Sequence, residues 1–338
     1  MPKGSRKNNF RICFPPHPTL SPKQLYAGAS KEEIQKASSR TYLFPRPYSR
    51  RQDMERELWL QLYSLVVKMD TLWTNGFYRS SEIVVVYLWA VVHDRPTSWA
   101  CDERNWQGEP PDRLPPQCTM SRRLRSKSVL QLLNKVEAHL RGNPRQWWVQ
   151  RIDSKPLPVG PHSKDPEAKY GRAAKSFARG YKLHAIWGEG PLPSAWRIEP
   201  MNTGDSVAAR KLIVDLPGEG YVVGDCQYDS NPLHRVASPH HQIVAHQQRP
   251  GKALGHRRHE PSRLHALEMV AKPFGKALLK YRNHIEREFG TLTNFSAGLS
   301  PLPSWVRRIN RVTRWVQAKL LINAVRQINK TRSLTAPA

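Results

Sequence analysis

The chain has 338 residues, with 54 Lys+Arg against 27 Asp+Glu, giving a formal net charge of +27 at pH 7. Such an excess argues against an enzyme working on small anions, which needs only a local basic patch, and favours a polyanion partner, most simply nucleic acid. Hydrophobic residues make up 39% of the chain, which excludes full disorder, and the longest apolar run (83–92) falls well short of the roughly 20 residues of a membrane span, so no membrane partner is expected.

In chain order, residues 1–52 carry eleven Lys/Arg against two acids and several prolines, and read as a basic, disordered arm. Residues 53–143 read as mostly helical. The stretch 54–69 has no Gly or Pro. Ser81 is the expected cap, with Glu82 in the first turn, for the run 83–92. That run is rich in β-branched residues, so a buried strand stays open as an alternative. After a Pro/Trp-rich connector, Thr119 or Ser121 is the expected cap of a helix carrying Leu124, Leu132, Leu133, Val136 and Leu140. Arg122, Arg123 and Arg125 would crowd its first turn. Cations there oppose the helix dipole unless a phosphate lies nearby. The region therefore reads as a helix-turn-helix-like DNA-binding domain, with a plain helical scaffold and a basic rim as the rival.

From residue 144 the pattern becomes α/β. Strands are expected at 147–153, 181–187, 195–199, 221–225 and 242–245. A turn-rich loop at 188–194 joins the second and third. A helix is expected at 205–216, a longer helical stretch at 264–289 interrupted at Pro273, and a final basic amphipathic helix at 305–328. The expected organisation is an arm at 1–52, a helical domain at 53–143, a catalytic domain at 144–300 and a C-terminal helix at 301–330 packed on it. The four cysteines are scattered without a Cys-x-x-Cys pair, which speaks against a zinc ribbon and for a reducing, cytoplasmic compartment.

Acids are scarce in this chain, so their placement is informative. Asp153 and Asp225 each close an expected strand. In an α/β sheet the strand C-termini form the edge where sites gather. If the two strands are neighbours, the carboxylates stand side by side and resist joint ionisation. A divalent cation relieves that conflict, and oxygen-only ligands suit Mg²⁺ or Mn²⁺. A third carboxylate from a helix would complete a two-metal site. Taken singly, a strand-terminal Asp is more simply a turn former. Glu286 and Glu288 flank the apolar face of Ile285 and Phe289 equally, and periodicity does not choose between them.

Four ordered pieces carry a family resemblance: Ile152-Asp153-Ser154-Lys155-Pro156, the run 180–185, the run 223–230 and the run 282–290. Over most of residues 80–328 the chain resembles a bacterial insertion-sequence DDE transposase. The resemblance implies a ribonuclease H-like mixed sheet with flanking helices, preceded by the helical DNA-binding region. It implies Mg²⁺ (or Mn²⁺) held by Asp153, Asp225 and Glu286. Glu286 is picked over Glu288 because Arg282 stands four residues before it. Strand cleavage by water, then attack of the freed 3′-hydroxyl on target DNA, would proceed without a covalent protein–DNA intermediate. Arg282 would meet a phosphate or orient Glu286. Lys182 and His184 share a strand face and would face DNA near the metals. Leu279 and Thr293 stand where the family signature has Tyr and Lys, which leaves the Lys contact to another base such as Arg287. The implied partners are the element ends and target DNA, with a homodimer in the synaptic complex and a cytoplasmic, nucleoid-associated location. Two rivals remain: a metal-dependent nuclease of the same fold without strand transfer, and a catalytically inactive transposase-derived DNA-binding protein.

Overall fold

The computed structural model describes residues 47–71, 77–106, 111–143, 147–173, 176–254, 258–295, 297–299 and 301–335. Most of the expected arm, 1–46, lies outside them, and its last residues are already helical: α1 runs Pro47–Met69. The helical region continues with α2 (Ser80–Val92), α3 (Thr97–Ala100), α4 (Gln117–Arg123) and α5 (Lys127–Arg141).

The β-branched run at 83–92 is helix, not strand. All but one residue of α2 is buried, and a helix apolar on every side belongs in a core. Ser81 is not its cap. The Glu82 carboxylate accepts from the Arg79 backbone N–H at 2.6 Å, while the Ser81 N–H donates to Asp70 Oδ2 at 2.8 Å. Around Trp89 the connector tryptophans close an aromatic cluster. Trp106 stacks on Trp89 with ring centroids 4.9 Å apart, and Trp59 meets it edge-on at 5.4 Å. The indole N–H of each finds a backbone carbonyl: Val85 for Trp59, Asn105 for Trp89 and Ala100 for Trp106.

The single helix expected across 121–140 is two. α4 ends at Arg123 and α5 begins at Lys127, after a short turn. Arg122 and Arg123 therefore stand in the last turn of α4 and Arg125 in the connection, where cations favour the dipole instead of opposing it. Thr119 and Ser121 lie inside α4 and cap nothing.

The sheet contains β1 (Val149–Pro158), β2 (Lys169–Arg172), β3 (Phe177–Trp187), β4 (Ala195–Pro200), β5 (Gly220–Val223) and β6 (His241–Val244). Its order is β2-β3-β1-β5-β6, with β4 also paired to β3. β3 runs antiparallel to β1, β2 and β4, whereas β1, β5 and β6 are mutually parallel. β2 was not expected: Lys-Tyr-Gly-Arg has no apolar alternation, and it pairs only along the outer edge of β3. β1 also runs past Asp153 through two prolines. Its pairing with β5 ends at Arg151–Val223, so Pro156 and Pro158 lack a ladder N–H where one side of the strand has no partner.

Helix α6 (Asp205–Val214) and α7 (Asn231–Ala237) cover one sheet face, where Ile152, Ile186, Val222 and Ile243 meet Ala209, Leu212 and Leu233. The stretch expected as one helix with a single break is three: α8 (Pro261–Ala271), α9 (Pro273–Lys280) and α10 (Asn283–Thr293). Pro273 makes the first break. The second is a tight turn in which the Tyr281 and Arg282 N–H groups reach back three residues to Leu278 and Leu279, and α10 beyond it packs on β1.

The last helix, α11 (Ile309–Thr335), starts four residues later than periodicity suggests. Asp165 and Glu167 accept the Arg308 and Ile309 N–H groups at 2.8 Å, and Arg308 sits at φ 67. These acids cap α11 from the β1–β2 connection and keep Trp305 outside the helix. One apolar cluster joins α2, α5, α10 and α11 to the β3 residues Tyr181, Leu183 and Ala185. The helical region and the sheet thus belong to one compact unit that begins at Arg51.

Candidate active site

Asp153 lies in the middle of β1, not at its end. It does lie at the end of the parallel pairing with β5, which is what matters for its neighbours. Arg151 stands opposite Val223. Two residues further along the chain from each come Asp153, still within β1, and Asp225, just beyond the end of β5, near enough for the Asp225 charge to act on Asp153. Gly224 separates Asp225 from β5, and the Asp225 side chain accepts from the Gln227 N–H at 2.9 Å to start a 3₁₀ turn, Cys226–Tyr228. That turn folds Tyr228 back over Gly224. A Cβ at Gly224 would come within 2.6 Å of the Tyr228 ring and 2.9 Å of Ile152, so only glycine fits there.

The electrostatics follow from this layout. Burial pushes the Asp153 carboxyl up to about 6. The Ser154 N–H opposes the shift, Asp225 adds to it, Arg282 opposes it and Asp205 adds to it. Tyr228 is fully buried, its hydroxyl has no hydrogen-bond partner among the described residues, and burial with the charges of Asp153, Asp205 and Asp225 holds its pKa well above the usual value. The site is thus an acid-rich cluster in which Arg282 acts on Asp153 and Lys182 pairs with Asp205. Asp205, in the first turn of α6, and Tyr228 were not picked from sequence. The signals were there: a helix-initiating acid after Gly204, and an aromatic three residues past Asp225.

Glu286 is exposed on α10 and opens on a cleft of about 750 Å³ shared with Arg287, Asn294 and Arg326. Glu288 is half-buried and raised in pKa by burial, with Arg151 opposing and Glu189 adding to the shift. Arg151 is itself buried and donates to Glu189 and to the Gly188 carbonyl. Among the described residues, no three His, Cys, Asp or Glu side chains stand together as a group able to hold one ion. Asp153 and Asp225 are brought together, and Glu286 is not gathered into the same cluster. The link is Arg282. It ends the turn before α10, within reach of Asp153, and Glu286 lies one helical turn further on the same face.

Lys182 and His184 are placed differently from the sequence expectation. The register sets them opposite Pro156 and Ser154, so they occupy the sheet face opposite to Asp153, Lys155 and Leu157. Both are buried and turned to Asp205: Lys182 Nζ donates to its carboxylate at 3.2 Å, and His184 Nδ1 lies 3.6 Å away. They orient the start of α6 and do not face solvent. Arg123 is likewise occupied, donating to the Tyr78 carbonyl and to Ser80 Oγ, whereas Arg122 and Arg125 are exposed.

Residues 148–321, just over half of the chain, match the family described as transposase DDE domain. The chain belongs to this family. No curated protein and no solved structure matches it. The DDE domain match opens one residue before β1 and closes inside α11, so it spans Asp153, Asp225 and Glu286 and leaves out α1 to α5. Among the described residues no helix of this DDE-domain protein is long and apolar enough to cross a membrane.

Two buried histidines make the fold around the carboxylate pair acid-sensitive. Burial lowers His184 and His234 to about 4 each. Asp205 partly opposes this at His184, and Asp229 does so at His234. A base depressed in the native state leaves the unfolded chain binding more protons below pH 6.5. Stability is therefore full above that pH and lost as the pH falls toward 4. Between pH 7 and 4.5 the loss is about 2–3 kcal/mol per histidine. Urea midpoints of wild type and His234→Gln across that range check this. The Asp153 carboxyl acts in the opposite sense between pH 4 and 6, so the comparison is variant against wild type at each pH. Parallel curves for the two proteins remove the histidine as the cause.

Proposed function

We propose that the chain is a DNA transposase that cleaves strands at the ends of an insertion sequence and joins them to target DNA, on a ribonuclease H-like catalytic fold. The observation that carries this reading is Asp153 beside Asp225 where the parallel pairing of β1 and β5 ends, in a +27 chain of the DDE family. A mixed sheet with β3 as its antiparallel member, covered by helices on both faces, supports the fold assignment.

The donor set suits a divalent cation. The Asp225 charge acts against that of Asp153, burial penalises the Asp153 charge, and the Tyr228 hydroxyl beside them has no partner among the described residues. Asp153 and Asp225 would hold the ion, Mg²⁺ or Mn²⁺, with Glu286 as the third carboxylate. Such an ion supplies Lewis-acid polarisation of the scissile phosphate and neutralises the charge that develops on it. The chain's own groups do the rest. Arg282 balances the carboxylates and meets a DNA phosphate. Arg287, exposed beside Glu286, takes the place of the family's absent Lys. The turn of Asp225 and Tyr228 over Gly224 keeps the carboxylate pair rigid. In-line displacement, by water and then by a 3′-hydroxyl, needs no protein nucleophile.

Upstream, the short turn between α4 and α5 supports a helix-turn-helix-like role for 53–143 in DNA binding, with Arg122 exposed at its edge. Joining two ends calls for a homodimer in a synaptic complex, acting at the nucleoid in the cytoplasm.

The test is metal-dependent cleavage of the element's own ends, with a pre-cut end supplied to read joining separately. Glu286→Gln is expected to abolish both reactions with DNA binding intact. Glu288→Gln, at a carboxyl that senses the Arg151 and Glu189 charges, keeps activity within a few-fold. The reverse result moves the third ligand to Glu288. Cleavage without joining of the pre-cut end leaves a nuclease.

A further inference from the structure

A second basic site lies away from the carboxylates, where the helical region meets α11. A cavity of about 190 Å³ is lined by Arg125 from the α4–α5 turn and by Arg311 and Arg314 of α11, with Trp305 at its edge and Ser98 and Ser121 beside them. No acid lines it. Arg311 and Arg314 are three residues apart and so share one helix face. Their side chains have no hydrogen-bond or ion-pair partner among the described residues. Arg314 is half-buried, and burial together with the neighbouring Arg311 and Arg125 charges works against its own charge. Trp305, which α11 leaves outside the helix, is 40% exposed.

Three guanidinium groups converging on an acid-free cavity repel one another unless an anion sits among them. The volume is below the roughly 300–1,000 Å³ of pockets that enclose whole drug-sized ligands, but it admits a phosphate with its attached sugar. Planar guanidinium forks match phosphate oxygens pairwise, and the half-exposed indole offers a face to the sugar or base beside it. We propose that this cavity seats one backbone phosphodiester of bound DNA. Residues far apart in sequence would then grip the same strand, Arg125 from the helical region and Arg311 and Arg314 from the C-terminal helix. The proposal rests on the reading of the chain as a DNA-processing enzyme and adds a site to it.

The experiment uses the full chain in EDTA, so that catalysis plays no part, with a fluorescent 30-bp duplex of the element's terminus read by anisotropy over a salt series. Each phosphate contact contributes about 0.9 to the slope of log affinity against log salt. Arg314→Gln and the exposed Arg311→Gln are each expected to weaken binding about ten-fold and, combined, to lower the slope by about one, with unchanged melting temperature. Arg314→Lys, which keeps the charge, restores the slope. An unchanged slope in the double variant, with wild type binding normally, overturns the phosphodiester site and leaves the transposase reading intact. Failure of wild type to bind the duplex at all overturns that reading instead. A third arm separates the sources of phosphate. If millimolar inorganic phosphate raises the melting temperature of wild type but not of the double variant, while the DNA slope is the same in both, the cavity takes a free phosphate and the DNA proposal is overturned.

Discussion

Replacing Asp153 with Asn is expected to remove strand cleavage and joining while making the metal-free protein more stable. The two effects share one cause. Burial and the adjacent Asp225 charge raise the Asp153 carboxyl to about 6, so at pH 7 the native state carries a buried charge that the unfolded chain accommodates at no cost. A shift of about two units corresponds to roughly 3 kcal/mol. For an acid raised in the native state, folding binds protons, so stability falls as the pH rises from about 4 to 6 and stays lower above. Asn keeps an acceptor for the Ser154 N–H, which Asp153 Oδ1 receives at 2.7 Å, and removes the charge. Denaturant midpoints in EDTA at pH 7 should therefore rise by about 1–3 kcal/mol in Asp153→Asn. Added Mg²⁺ should stabilise wild type and not the variant. Cleavage should fall by at least about a thousand-fold, the scale of several kcal/mol of charge stabilisation lost from the transition state. Asp225→Asn is expected to behave alike, with a smaller gain in stability, because it removes only one contributor to the shift at Asp153. If Asp153→Asn is less stable than wild type in EDTA, or still cleaves with Mg²⁺ present, the carboxylate pair is not the ion's seat.

The largest loss of stability is expected from Arg263→Ala. Asp229, four residues past Asp225, has a side chain only 1% exposed. Arg263 of α8 holds both its oxygens, Nε to Oδ1 at 2.6 Å and Nη2 to Oδ2 at 2.7 Å, and the Gln248 N–H donates to Oδ2 at 2.9 Å. Truncating the arginine strands a buried carboxylate and should cost about 3–5 kcal/mol. Asp229→Asn combined with Arg263→Met removes both charges and should recover most of that loss. The pair also ties the segment after Asp225 to α8. Arg263→Ala should therefore lower cleavage even where the protein remains folded, whereas the double variant keeps it. Urea melts with cleavage rates measured at a temperature where all variants are folded separate the two effects. A loss under 1 kcal/mol in Arg263→Ala shows that water already reaches Asp229.

The order of strands and helices from residue 147 onward was legible because alternation, turn residues and helical spacing are local signals. So were Asp153 and Asp225, as acids at expected strand ends in an acid-poor chain, although β1 runs on past Asp153. Other elements were left open or misplaced because their local signals conflict with their surroundings. The run 83–92 was expected as a helix with a strand as the alternative its β-branched residues allow, and it is the helix, buried on nearly every side. The prolines of β1 marked a strand end but lie where β1 is paired with β3 alone, beyond the end of its pairing with β5. Asp165 and Glu167 delay α11 until Ile309, from 142 residues away.

By itself, then, the sequence determined the charge, most of the α/β order and the two candidate acids, since each is written in residue type and short-range period, whereas the β1–β5 pairing that brings those acids together is long-range. Only the tertiary structure decided which polar groups are free. Lys182, His184 and Arg123 are basic in composition but occupied by Asp205, Tyr78 and Ser80, whereas Arg311 and Arg314 meet Arg125 across nearly two hundred residues without an acid between them. Pairing between distant side chains depends on where the core places them, and no local pattern encodes it.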